Sequence, residues 1–233
     1  MNKTILFDLD STLLQMDQNE FIRRYFSLVH QKAGQLGYDA DTFLSCFTRA
    51  AYAIVGNDGT MTNEELFWSQ MKLNYPDTGR LKEEFDAFYR QEFNTISSIV
   101  RFNPLSNEII QTLKKKGYRI ILATNPLFPK ICTYQRMGWA GLKPEDFSYI
   151  TTYENSRYCK PNHFYYEEIF HKLSLSMEGC LMVGNDVSDD FSDLPKELSP
   201  LLVTDYLINT KGLPITMPCF TLAELSNYIK ENL

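Results

Sequence analysis

From about residue 100 onward the chain alternates short apolar runs with helix-period segments, and this alternation restricts the fold more than any other feature. Residues 118–123 (YRIILA), 147–151 (FSYIT), 180–183 (CLMV) and 201–204 (LLVT) are runs of strand length, as is 3–7 (KTILF) near the start. Directly before the run at 118–123, Asn103-Pro104-Leu105-Ser106 opens a helix that places Leu105, Ile109, Ile110 and Leu113 on one face and ends at Gly117. Strands alternating with helices imply right-handed βαβ units and a parallel sheet covered on both faces. Ligands then bind at the carboxyl ends of the strands.

Residues 15–99 break the alternation. They hold helix-period segments at 20–36, 41–55, 63–73 and 81–93, with no strand pattern, and so read as a helical insertion. Gly56-Asn57-Asp58-Gly59 marks a turn within it, and Thr62-Asn63-Glu64-Glu65 a helix start. The insertion is rich in aromatic residues (Phe21, Tyr25, Phe26, Phe43, Phe47, Tyr52, Phe67, Trp68, Phe85, Phe88 and Tyr89), most of which are expected to form its own small core. A chain of 233 residues with 44% hydrophobic composition is long enough for a core domain plus such an insertion.

A net charge of −6 and scattered basic residues exclude the footprint of a nucleic-acid binder. The one basic run, Lys114-Lys115-Lys116, falls where a helix ends and cations complement its dipole. The apolar run after Met1-Asn2-Lys3-Thr4 is cut short by Asp8, so neither a signal peptide nor a membrane span is expected, and the expected location is cytoplasmic. Cys46, Cys132, Cys159, Cys180 and Cys219 are odd in number and form no CxxC, in keeping with reduced thiols. His30, His163 and His171 lack the spacing of a zinc site. Nothing in the sequence fixes the oligomeric state.

Four elements at predicted strand ends carry the chemistry. In Phe7-Asp8-Leu9-Asp10-Ser11-Thr12-Leu13 two carboxylates two residues apart point to one side of the backbone as a buried strand ends. Their repulsion is costly unless a cation compensates, and oxygen-only ligands suit Mg2+. A surface turn in which Asp10 or Ser11 caps a helix would give the same letters. Thr124-Asn125 ends the next strand with a hydroxyl and amide donors able to hold phosphate oxygens, although Asn125-Pro126 is also an ordinary turn. Lys160, before Pro161, offers a compact positive charge or is a solvated surface lysine. Gly184-Asn185-Asp186-Val187-Ser188-Asp189-Asp190 follows the run at 180–183; helix capping accounts for one of its three acids, and the second half of a Mg2+ site for several.

Taken together and in this order, the four elements resemble the haloacid dehalogenase superfamily: FDLDSTL is similar to its first motif, LATN to its second, the lysine of CKP to its third and VGNDVSDD to its fourth. The resemblance implies a Rossmann-like three-layer core in residues 1–14 and 100–233. The long stretch between the first two motifs resembles members with a helical cap, here residues 15–99, which closes over small substrates. It further implies that Asp8 is a nucleophile forming an aspartyl-phosphate, and that Asp10 protonates the leaving oxygen, activates water and lends its backbone carbonyl to Mg2+. Asp8 and Asp186 would give carboxylates to the metal, with Asp190 in its outer shell and Asp189 an alternative. Thr124 and Lys160 would fix the phosphoryl group, and Leu9 and Asn125 would help to bind it.

Within that superfamily Asp10 points to phosphate chemistry, because a halide leaving group needs no acid and the dehalogenases lack one there. The expected activity is hydrolysis of a small phosphorylated metabolite. A sugar phosphomutase using the same residues, and a non-catalytic binding protein on this fold, are the alternatives.

Overall fold

The computed structural model describes residues 4–233; the start of the first expected strand at Lys3 lies outside the described residues. Strand β1 (Thr4–Phe7) is buried along its whole length. Helices α1 (Gln18–Gln35), α2 (Ala40–Val55), α3 (Asn63–Lys72) and α4 (Thr78–Arg90) follow, then a 3-10 segment, Glu92–Ile99. The alternating part consists of α5 (Pro104–Lys115), β2 (Arg119–Leu122), α6 (Lys130–Trp139), β3 (Tyr149–Ile150), α7 (His163–Leu173), β4 (Cys180–Gly184), α8 (Val187–Phe191), β5 (Leu198–Val203), β6 (Cys219–Phe220) and α9 (Leu222–Asn232).

All strand pairs are parallel and the sheet order is β3-β2-β1-β4-β5-β6. This is the doubly wound order whose direction reverses between β1 and β4, where a crevice opens at the strands' carboxyl ends. The three layers follow from the period-2 alternation of the strands. Ile5, Phe7, Ile120, Leu122 and Val203 face one side with Ile109, Leu113, Leu225 and Ile229 of α5 and α9. Leu6, Ile121 and Met182 face the other, against Tyr165, Tyr166, Ile169 and Phe170 of α7. Cutting back a side chain such as Leu6, which is fully buried, costs about 2–5 kcal/mol in a core of this kind.

Local chemistry sets the helix boundaries. Asp17, Asp39 and Asn103 cap α1, α2 and α5, while Thr62–Glu65 and Thr221–Glu224 form capping boxes on α3 and α9. Lys114 and Lys115 lie in the last turn of α5, where Lys114 pairs with Asp146 and Lys116 donates to Ile229 O at 3.0 Å. The expected strand at 147–151 shrinks to two residues because the Phe147 N–H is drawn back to Pro144 O, 3.1 Å, closing a 3-10 turn. β5 begins three residues before the expected run, its Leu198, Ser199 and Pro200 in register with β4. β6 is too short to leave a periodic trace, and the last helix of the insertion gives way to the 3-10 segment after Arg90.

Among the described residues the insertion between β1 and α5 is wholly helical. It touches the sheet domain through hydrogen bonds from Asn63 N to Ser156 O (2.8 Å), Glu64 N to Tyr153 O (2.9 Å) and Asn63 Nδ2 to Pro126 O (3.1 Å). All five cysteines are free thiols. No helix among the described residues is long and apolar enough to cross a membrane.

Candidate active site

The first carboxylate sits where the sheet reverses direction. Asp8 continues β1 by donating its N–H to Val183 O (2.8 Å), which holds it at the carboxyl end of β1 beside β4. The chain then turns sharply: Ser11 adopts a left-handed conformation (φ 62°), its N–H bonding to Leu14 O (2.8 Å) and its hydroxyl to Met16 O (2.9 Å). A non-glycine residue in this conformation carries strain that the two bonds offset. Leu9 is fully buried and its carbonyl closes the turn by accepting from Leu14 N (2.8 Å), so only its backbone N–H is left to meet a phosphate.

Lys160 bridges two of the acids. Its ammonium lies 2.6 Å from Asp8 Oδ1 and 2.6 Å from Asp190 Oδ1, and the three side chains are 2%, 9% and 1% exposed in the order Lys160, Asp8, Asp190. Burial works against the Lys160 charge, but Asp190 and Asp8 outweigh it and hold its pKa well above the usual lysine value. Burial raises the Asp190 carboxyl, with Lys160 pulling the other way. The second oxygen of Asp190 accepts from Asn185 N and Asp186 N, both at 3.0 Å. Asp190 is thus engaged in holding Lys160 and the loop after β4, at the edge of the same crevice.

The other expected residues converge on the same crevice. Asp186 caps α8 through Oδ1 (Ser188 N, 2.8 Å), and Asp189 lies 3.4 Å from Asn125 Nδ2. Burial and the neighbouring Asp186 raise the Asp189 carboxyl. Thr124 is buried, its carbonyl held by Thr151 Oγ1 (2.6 Å) and the Tyr165 hydroxyl (2.9 Å). Asn125 accepts from Lys160 N through Oδ1 (3.2 Å), fixing the backbone that carries the lysine.

Two residues that sequence reasoning missed complete the arrangement. Thr12 donates to Asn185 Oδ1 (2.9 Å) and lies 3.3 Å from Asp8 Oδ2, tying the loops after β1 and β4 together. Arg136 of α6, fully buried, pairs with Asp10 Oδ2, while its guanidinium lies over the rings of Phe128 (4.5 Å) and Phe21 (5.9 Å). Its signal was an arginine at helix spacing among Cys132, Thr133 and Met137 on an otherwise buried face. Burial raises the Asp10 carboxyl above its ordinary value, opposed chiefly by Arg136. Asp10 Oδ1 is buried without a hydrogen-bond partner.

Whether these residues suit a magnesium ion can be judged from their chemistry. The acids Asp8, Asp10, Asp186, Asp189 and Asp190 are set against the two cations Lys160 and Arg136, and Asp8, Asp186 and Asp189 all line the crevice. Among the described residues no three His, Cys, Asp or Glu side chains form a ready-made metal cage. Mg2+ takes one or two carboxylates and keeps much of its water, so the donor set fits it.

The crevice deepens into a cavity of about 250 Å³ between the strand ends and the insertion. Phe43, Phe85 and Phe88 keep to the expected core of the insertion, whereas Phe21, Tyr25, Phe47, Phe67 and Trp68 also line this cavity, together with Phe128. Most of the insertion's aromatics are core residues, as expected, and those that also reach the cavity do so because α1, α2 and α3 turn one face toward the strand ends.

Solved structures with this fold include a HAD phosphatase from Thermococcus onnurineus, 18% identical over 97% of both chains with a TM-score of 0.58. The HAD-hydrolase YfnB from Bacillus subtilis, bound to magnesium, is 20% identical over 98% of both chains (TM-score 0.56). The defluorinating L-2-haloacid dehalogenase Rha0230 is 15% identical over 98% of this chain and 95% of its own (TM-score 0.57). No curated protein matches the sequence. At these identities the likeness concerns the fold. The family model of the haloacid dehalogenase-like hydrolases matches residues 2–191, a span that contains all four strand-end elements, and the chain belongs to that family.

Proposed function

We propose that the protein is a Mg2+-dependent phosphatase that hydrolyses a small phosphate monoester through an aspartyl-phosphate on Asp8. The observation that carries this reading is the buried Asp8–Lys160–Asp190 triad at the sheet's switch point, with Asp10 two residues beyond the nucleophile. Lys160 orients one Asp8 oxygen and offers positive charge to the incoming phosphoryl group.

In the first step an Asp8 oxygen attacks phosphorus, the bond from phosphorus to the alcohol oxygen breaks, and Asp10 gives that oxygen a proton. A raised pKa suits Asp10 to this task near neutral pH. In the second step Asp10 takes a proton from water, the water oxygen attacks phosphorus, and the Asp8–phosphorus bond breaks to release inorganic phosphate. Thr124, the Leu9 backbone N–H and Asn125 hold the phosphoryl oxygens. Asp8, Asp186 and the backbone carbonyl of Asp10 would hold Mg2+, with Asp190 behind them, and the ion supplies charge neutralisation to the transferring group. Residues 15–99 act as the helical cap that excludes water.

Asp10 separates this reading from carbon–halogen cleavage, which the apolar cavity would otherwise accommodate. The test is release of phosphate from an aryl phosphate with Mg2+ present, lost in Asp8→Asn and reduced by at least about 10²-fold in Asp10→Asn. Full activity in pure Asp8→Asn protein would remove Asp8 from the nucleophile's role.

A further inference from the structure

We propose that the alcohol released from the Asp8 site is uncharged, apolar and ring-sized, so that the substrate is an aryl or arylalkyl phosphate monoester rather than a sugar phosphate, a phosphorylated acid or a nucleotide. The inference rests on the phosphatase reading and names its substrate class.

The cavity has two chemically different ends. At the strand ends it is lined by Asp8, Asp10, Lys160, Asp186, Asp189 and Asp190, which deal with phosphate and metal. Beyond them, on the side of the insertion, the lining contains no lysine, arginine, histidine, aspartate or glutamate. Arg136 and its charge are buried behind Phe21 and Phe128 against Asp10. A second carboxylate or phosphate on the substrate would therefore be desolvated there without a counter-charge, a costly arrangement.

Polar but uncharged substrates fare little better. The Tyr25 and Tyr89 hydroxyls are bound to each other at 2.9 Å, and the Tyr153 hydroxyl receives Trp68 Nε1 at 3.4 Å. Burial pushes the pKa of all three hydroxyls up, so they remain neutral. The remaining polar side chains on that side are Gln18, Thr48 and Tyr52, and the rest of a sugar would face rings: Phe21, Tyr25, Phe47, Phe67, Trp68 and Phe128. These rings already meet edge to face, as Phe47 and Phe67 do at 5.0 Å and Tyr25 and Phe128 at 5.1 Å, an arrangement that a further aromatic ring extends. Size agrees as well. An apolar cavity of about 150 Å³ accommodates benzene, and about 250 Å³ leaves room for one ring together with the phosphoryl group.

The experiment compares kcat/KM of the full chain with Mg2+ for primary esters whose leaving alcohols are similarly basic: ethyl, butyl and 2-phenylethyl phosphate, against glycerol 1-phosphate, a hexose 6-phosphate and phosphoglycolate. Burying a phenyl-sized group should raise kcat/KM for 2-phenylethyl phosphate about 10- to 100-fold over ethyl phosphate, with the three polar esters no better than ethyl. Trp68→Ala should cut the 2-phenylethyl to ethyl ratio at least fivefold. Because the ratio is taken on one preparation, partial misfolding cancels. Turnover that is flat across the series, or highest for a polar ester, overturns the apolar site and leaves the phosphatase intact. Absence of phosphate release from every ester overturns both.

Discussion

Replacing Lys160 with methionine isolates the electrostatics on which the site depends. The ammonium is 2% exposed and lies 2.6 Å from each of two carboxylates that are 9% and 1% exposed, so solvent screens the group little. Breaking a buried ion pair by removing one partner costs about 3–5 kcal/mol, because the remaining charge stays buried. For a chain of this size that corresponds to a fall in Tm of roughly 6–20 °C. The loss also has a defined pH dependence. Burial already raises the Asp190 carboxyl, and without Lys160 nothing comparable opposes it. Unfolded aspartates titrate near pH 4, so above that and below the raised value the folded variant binds more protons than the unfolded one. Its stability then increases as pH falls. The deficit of Lys160→Met against the parent should shrink between pH 8 and pH 5. Asp190→Asn on the Lys160→Met background removes the stranded charge, and the double variant should be at least about 1.5 kcal/mol more stable than additivity predicts. Urea unfolding in metal-free buffer at several pH values measures all three quantities. A deficit below about 1 kcal/mol at pH 7.5, or one that grows toward pH 5, would refute the triad as described.

Two further substitutions probe its supports. A Cβ on Gly184 would run into the Asp190 carboxylate, so Gly184→Ala should displace Asp190 and with it Lys160, lowering Tm and kcat together, whereas an unchanged kcat would show that Asp190 does not position the lysine. Arg136→Met removes the main influence that lowers the Asp10 pKa. Since water activation needs ionised Asp10, the acidic limb of the kcat profile should move to higher pH, and an unmoved limb would mean that Arg136 is only structural.

Much of the core was legible because its signals are local. A run such as CLMV followed at once by GNDVSDD marks a buried strand ending in acids; two such junctions, with Thr124-Asn125 and Lys160 between them in order, locate the crevice. Caps such as Thr62–Glu65 and the stop at Gly117 were legible for the same reason. What was not legible depends on distant partners. Arg136 meets Asp10 across 126 positions of sequence, and Asn185 meets Thr12 across 173. The aromatic residues show a related limit: helical spacing tells which face is apolar, but Phe47 buries one part of its ring against Phe85 while another part lines the cavity. Strand β6 was missed because two residues carry no period, although the capping box that starts α9 stands directly after it.

The claim that Asp8 receives the phosphoryl group is tested most directly by rapid quenching during turnover of a phosphate monoester with Mg2+, borohydride reduction of any acyl phosphate and peptide mass mapping. Reduction is expected at residue 8 in the parent, increased in a variant slowed at water activation, and absent in Asp8→Asn. Reduction at another carboxylate, or steady turnover by Asp8→Asn, would contradict it.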